Sequence, residues 1–201
     1  SGRGAVRPHS GTPKLGRSGM NAAQAFRGKA LAALTNQIGV YALCDLDGNP
    51  IYVGQSVDGI RTRVRRHLTS ARSDVIANRQ IDVWEIAFVW AWPVATKSEV
   101  EPLERSIFAH YDAELPLMNG KPMVANAPVL EWPEKQVVQV IDEEERQSRL
   151  TPSNRLPRQI KQYDLLVDYI LKRRISSGRW TRTSNAWCAI TSAFFSRYCV
   201  K

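Results

Sequence analysis

The stretch Gly39-Val40-Tyr41-Ala42-Leu43-Cys44-Asp45-Leu46-Asp47-Gly48-Asn49-Pro50-Ile51-Tyr52-Val53-Gly54 decides the fold of this chain. Two short apolar runs flank Asp47-Gly48, a dipeptide that favours the positive φ angles of a type I′ turn. The expected unit is a two-stranded hairpin with Asp47 and Gly48 as its loop. Leu46 then stands opposite Asn49, Leu43 opposite Tyr52 and Tyr41 opposite Gly54. Residues two apart share a face of a strand. Tyr41 and Tyr52 thus become diagonal neighbours on one face, about 7–8 Å apart at Cα.

The period then changes. Ile60, Val64, Leu68 and Ala71 recur at helical spacing, with Asp58 placed to cap the start. Arg63 and His67, four residues apart, form one row beside that apolar stripe. Arg61, Arg65 and Arg72 form the other flank, and with Arg66 they are candidate phosphate contacts. Two phenols, a guanidinium and an imidazole near one place suit an anionic oxygen substrate. A guanidinium fork matches phosphate geometry and keeps its proton.

Gly39-Val40-Tyr41, ten intervening residues, Tyr52-Val53-Gly54, then Arg63 and His67 on the following helix resemble the signature of the GIY-YIG nucleases. Leu103-Glu104-Arg105-Ser106-Ile107 and Pro116-Leu117-Met118-Asn119 extend the resemblance over about residues 38–120. Valine replaces isoleucine in both tripeptides, and Gln55 stands where some members have lysine. The step from Gly54 to Arg63 is one residue longer than in many members, so Arg61 and Arg63 both qualify as the key arginine. The four-residue step to His67 favours Arg63.

The resemblance implies a DNA endonuclease that leaves 5′-phosphate and 3′-hydroxyl ends. In it, Tyr41 resembles the phenol assigned as the base, and Tyr52 positions the water or shares that role. Arg63 braces the developing charge, and His67 is a proton shuttle or a phosphate ligand. Glu104 holds one Mg²⁺ (or Mn²⁺), and Asn119 closes the site by hydrogen bonding.

Composition sets the frame around this unit. The chain has 201 residues, 43% of them hydrophobic, enough for one domain with extensions. No apolar run approaches the roughly 20 residues that span a bilayer, and no secretory leader is visible. Cys44, Cys188 and Cys199 make neither a disulfide framework nor a zinc site, so reduced thiols and a cytoplasmic location are expected. His9, His67 and His110 do not cluster as metal ligands. The net charge of +9 is uneven: +4 over residues 1–21, −3 over 22–150 and +8 over 151–201. Phosphate affinity is therefore expected from the Arg61–Arg72 helix and from the two ends.

The expected fold class is α/β (α+β): a three-stranded antiparallel sheet flanked by helices, with a helical C-terminal extension. Residues 1–21 read as a disordered basic arm or tag, and residues 22–124 as the nuclease-like domain. That domain opens with an alanine-rich helix over 22–36. Ile81–Pro93, rich in β-formers, reads as its third strand. Trp84, Trp90 and Trp92 are expected in the core or along an apolar edge. Thr96-Lys97-Ser98-Glu99 is a capping box, and the helix after it runs to about Ala113, burying Val100, Leu103, Ile107 and Tyr111. Glu104 lies at the edge of that face. A carboxylate there must be exposed, paired or metal-bound; Glu101 is the fallback ligand, and Asn119 by itself reads as a turn residue.

Residues 125–155 read as a proline-rich acidic connector, with Asp142–Glu145 a solvated face. Residues 156–201 read as a basic helical extension, whose Lys172, Arg173, Arg174, Arg179 and Arg182 are candidate DNA contacts. A compact chain without a zinc module or a long linker fits a restriction or phage-defence enzyme best. A structure-specific repair nuclease and an inactive DNA-binding module are the alternatives. Two coordinated cuts by so small a site would suggest a homodimer, though nothing in the sequence shows one.

Overall fold

The computed structural model describes residues 17–69, 81–114, 117, 119, 128–157, 160–161 and 164, with side chains from residue 22 onward. Arg72, the basic cluster 172–182 and most of the expected helical extension over 156–201 lie outside them.

Helix α1 covers Arg17–Ala33, so it starts inside the segment expected to be a structureless arm. Strands β1 (Gly39–Cys44) and β2 (Pro50–Ser56) form the hairpin, and α2 (Ile60–Thr69) follows. Strand β3 (Phe88–Pro93), helix α3 (Lys97–Glu114), strand β4 (Gln136–Gln139) and helix α4 (Glu143–Leu150) complete the order. The sheet is antiparallel throughout and runs β2-β1-β3-β4. Among the described residues it therefore has four strands rather than the three expected.

Strand β1 is central, and every residue of it is buried. Alternation sends Tyr41 and Leu43 to one face, where Leu31 of α1, Leu34 just after it, and Ile60, Val64 and Leu68 of α2 cover them. Val40, Ala42 and Cys44 go to the other face, against Leu103, Ile107 and Phe108 of α3. Burying side chains of this size gains roughly 1.5–3 kcal/mol each. A slip of one residue would reverse the two sets, so the register of β1 is strongly held.

The hairpin loop differs from the expected one. The Asp45 N–H donates to the Asn49 carbonyl and the Gly48 N–H to the Asp45 carbonyl, leaving a three-residue loop, 46–48. Gly48 takes the left-handed conformation, φ 86°. The buried Asp45 carboxylate accepts the Asp47 and Asn49 backbone N–H groups at 3.0 and 2.8 Å. Such side-chain capping selects the turn locally. A three-residue loop alone would put Tyr52 on the wrong face. A bulge restores it: Cys44 pairs with Pro50, Leu43 with Tyr52 and Tyr41 with Gly54. Ile51 is the extra residue, and both it and Tyr52 join the Tyr41 face.

The run Ile81–Pro93 is not one strand. Asp82 accepts the Trp84 N–H at 3.0 Å, and its carbonyl accepts the Glu85 N–H, so residues 82–85 form a turn and β3 begins at Phe88. The acidic connector is not a linker either. It supplies β4 beside β3, and Val140 and Ile141 enter the core. Asp142 caps α4, accepting the Glu144 and Glu145 N–H groups, and Glu143–Glu145 lie at the favourable N-terminal end of its dipole.

Asp58 does not cap α2. The chain between α1 and β1 does: the Ile60 and Arg61 N–H groups donate to the Gln37 and Thr35 carbonyls, and the Thr62 N–H to Asn36 Oδ1 at 3.0 Å. The helix carrying Arg63 and His67 is therefore tied to the entrance of β1, which carries Tyr41. Losing such a cap costs about 1 kcal/mol. Asn36→Ala should lower stability by about that much, and Asp58→Ala should leave it nearly unchanged, as urea unfolding of the two variants will measure.

Candidate active site

Tyr41 is 0% exposed and its hydroxyl is the hub of the site. It shares a hydrogen bond of 2.7 Å with Nε2 of His67, itself 2% exposed. Arg63 and Tyr52 lie close enough to the phenol to act on it electrostatically. The Tyr41 ring lies 6.3 Å from that of Tyr52 and 5.9 Å from His67, and Tyr52 meets His67 edge-on at 5.9 Å. Tyr52 and Arg63 are partly exposed. The hairpin and α2 thus bring Tyr41, Tyr52, Arg63 and His67 together, as the row read from the sequence requires.

Burial is the main force on the Tyr41 phenol and pushes its pKa well above the ordinary range. Tyr52 adds to the rise, whereas the guanidinium of Arg63 opposes it. Tyr41 is therefore a neutral phenol near pH 7, able both to donate and to accept a proton.

Gly54 makes this packing possible. A Cβ there would lie 2.8 Å from the Tyr41 hydroxyl and 2.8 Å from Cε1 of Tyr52. Its role as the floor beneath both phenols is a part of the site that side-chain chemistry does not signal. The clue is its place directly opposite Tyr41 in the register.

The rival arginine has a different task. Arg61 donates from Nε to the Leu34 carbonyl at 2.6 Å, fastening α2 to the end of α1. Arg65 and Arg66 are exposed on α2. Asn119 accepts the Val53 N–H at 3.1 Å and donates to the Val53 carbonyl at 2.6 Å. It satisfies both backbone groups of an edge-strand residue lying between Tyr52 and Gly54, and so holds the strand that presents them.

Glu104 comes from the opposite layer. Helix α3 covers the other face of β1 and β2, and half of its expected capping box forms: Glu99 accepts the Thr96 N–H at 2.7 Å, while the Thr96 hydroxyl donates to Glu99 instead of accepting its N–H. Glu104 is 7% exposed, and burial followed by the like charge of Glu101 pushes its carboxyl up to about 7. Among the described residues no cluster of three or more His, Cys, Asp or Glu side chains forms. A single buried acid is thus the metal-binding candidate in this region.

Residues 37–116 match the family model of the GIY-YIG catalytic domain. That segment is a GIY-YIG-type domain. No curated protein matches it. The GIY-YIG match relates the chain to a family of nucleases that act on DNA. It also spans Tyr41, Tyr52, Arg63, His67 and Glu104, whereas Asn119 lies just beyond it. Among the described residues no helix is long and apolar enough to cross a membrane.

Folding raises the Glu104 carboxyl from 4.5 to about 7, so the folded chain holds that proton more tightly than the unfolded one. The resulting stability is present below about pH 4.5 and is lost as pH rises through about 7. In chelator, Glu104→Gln should match the parent near pH 4.5 and exceed it at pH 8. With partial exposure discounted, the gain is about 1 kcal/mol, or roughly 2–4 °C by thermal unfolding.

Proposed function

We propose that this chain is a metal-dependent endonuclease that hydrolyses phosphodiester bonds in DNA. The observation that carries this reading is the gathering of Tyr52, Arg63 and His67 around the Tyr41 phenol within a GIY-YIG domain. Hydrolysis of a phosphodiester needs a deprotonated water and stabilisation of the charge gathering on phosphorus. Arg63 meets the second need with a charge that cannot titrate away. The phenols and His67 meet the first. His67 is buried with Nε2 against the Tyr41 hydroxyl, which favours a proton acceptor over a phosphate ligand.

Glu104 would hold a Mg²⁺ or Mn²⁺ ion. The fit rests on its chemistry: a buried carboxyl pushed up to about 7, with a second carboxylate as its charged neighbour, lacks a compensating cation. A divalent ion there would supply Lewis-acid polarisation of a phosphate oxygen. One acid ligand suits Mg²⁺, which keeps several waters. Asn119 would act by fixing β2.

DNA would lie along the exposed Arg65 and Arg66 of α2, with Arg61, Arg72, Lys172, Arg173, Arg174, Arg179 and Arg182 adding phosphate contacts. A restriction or phage-defence role in the cytoplasm, carried out by a homodimer, is the biological setting we infer.

Nicking of supercoiled plasmid with and without Mg²⁺ tests the reading. Cleavage should require the metal, and Glu104→Ala should lose it while still binding DNA. Full activity in that variant would remove Glu104 as ligand. Arg63→Ala should cost about 100-fold or more in turnover, and Arg61→Ala far less. The reverse ranking would reassign the arginine.

A further inference from the structure

Residues 33–37 lead from the end of α1 towards β1, and two distant elements share their polar backbone. The first is α2. Its Ile60 and Arg61 N–H groups donate to the Gln37 and Thr35 carbonyls, and Arg61 Nε donates to the Leu34 carbonyl at 2.6 Å. Asn36 Oδ1 takes the Thr62 N–H at 3.0 Å. Gly59, at φ 113°, closes on the same residue: a Cβ there would lie 2.6 Å from Asn36 Oδ1 and 2.8 Å from the Asn36 carbonyl oxygen. The segment and the first turn of α2 therefore move as one piece, and α2 carries Arg63 and His67. The second element is β4. Gln136 Oε1 accepts the Thr35 N–H at 2.8 Å, and Gln136 Nε2 donates to the Ala33 carbonyl at 2.9 Å. Ala33 ends α1, where a helix leaves its last carbonyls without partners inside the helix.

The place of Gln136 in the sheet gives these two bonds their importance. Gln136 pairs with Ala91 of β3, and Ala91 pairs with Tyr41 of β1. One row thus runs straight across the sheet from Tyr41 to Gln136, and residues directly opposite one another share a face. Apolar packing holds α2 against that face, but such packing is non-directional. The paired amide bonds of Gln136 are directional. Resting on the nuclease reading above, we propose that Gln136 is a positioning residue for that reaction. From the row that contains Tyr41 it aims the piece that carries Arg63 and His67, and so keeps Nε2 of His67 2.7 Å from the Tyr41 hydroxyl. The working unit then extends past residues 37–116, the part matched by the family model, into the stretch that reads in the sequence as a connector.

Gln139 supplies the control. It stands on the same strand, and its amide bonds to the Ile141 carbonyl at 2.9 Å and to Glu143 at 2.8 Å, away from residues 33–37. Gln136→Ala and Gln139→Ala, each in the full chain, are compared by plasmid nicking and by the His67 ring-proton resonance in NMR. Gln136→Ala should lower kcat about 10-fold or more with KM little changed, since misplacing a reacting group by about 1 Å costs at least that much rate. Its His67 resonance and titration midpoint should shift. Gln139→Ala should leave kcat and the resonance near the parent values. Gln136→Glu keeps an acceptor for the Thr35 N–H and loses the donor to Ala33. It should fall between the parent and Gln136→Ala, and it carries the test if the alanine variant does not fold. Parent-like kcat with an unmoved His67 resonance in Gln136→Ala, or equal losses in the two alanine variants, would overturn the proposal. A parent chain that nicks no plasmid with Mg²⁺ or Mn²⁺ would instead end the nuclease reading, and the His67 resonance would still decide whether Gln136 holds the imidazole against Tyr41.

Discussion

Everything in the site follows from one close approach: Tyr41 stands directly opposite Gly54, and the Tyr41 hydroxyl takes up the room that a side chain at Gly54 would need. That approach fixes the distance between the central strand and its edge partner on the polar side of the hairpin. It also closes the wall behind the Tyr41 hydroxyl. The remaining groups arrange themselves around that hydroxyl, with His67 and Arg63 supplied from α2 and Tyr52 from the neighbouring strand. A fully buried phenol is tolerable because it is satisfied; an unmade hydrogen bond there would cost roughly 1–3 kcal/mol.

The scaffold protects this arrangement from three directions. The Asp45 carboxylate shapes the hairpin loop, and the Ile51 bulge corrects the register that this loop imposes. The Thr35–Gln37 segment receives the first N–H groups of α2, so helix and strand are indexed to the same short piece of chain. Asn119 closes the free edge of β2 at Val53. The polar groups that do this work are mostly backbone or amide, which explains why none carries an obvious chemical signature. Glu104 reaches the region from the helix on the other face, so the acid and the phenol cluster are brought into one domain by the sandwich of layers rather than by a shared element.

Much of this was legible in residue order. The alternation in β1, the Asp-Gly turn and the Arg63–His67 step on an amphipathic helix specify a hairpin followed by a helix, because those periods belong to local backbone geometry. The pairing of Tyr41 with Gly54 was read correctly although the loop was not. Two departures cancelled: a longer loop shifts the register one way and a bulge shifts it back. The strand over Ile81–Pro93 was read too long because β-forming side chains say nothing of the turn that Asp82 makes with its own carboxylate. The fourth strand was missed because Gln136–Gln139 is short and becomes a strand only by lying beside β3.

The sequence by itself determined which side chains are candidates for the chemistry and which faces they occupy, since both depend on residue type and on the periods of strand and helix. Only the tertiary structure decided their depth. Whether a phenol ends at the surface or under it depends on what packs against it from distant parts of the chain, here α1, α2 and the backbone of β2. Burial is a property of the assembled layers, and so is the proton affinity that burial imposes on Tyr41 and Glu104.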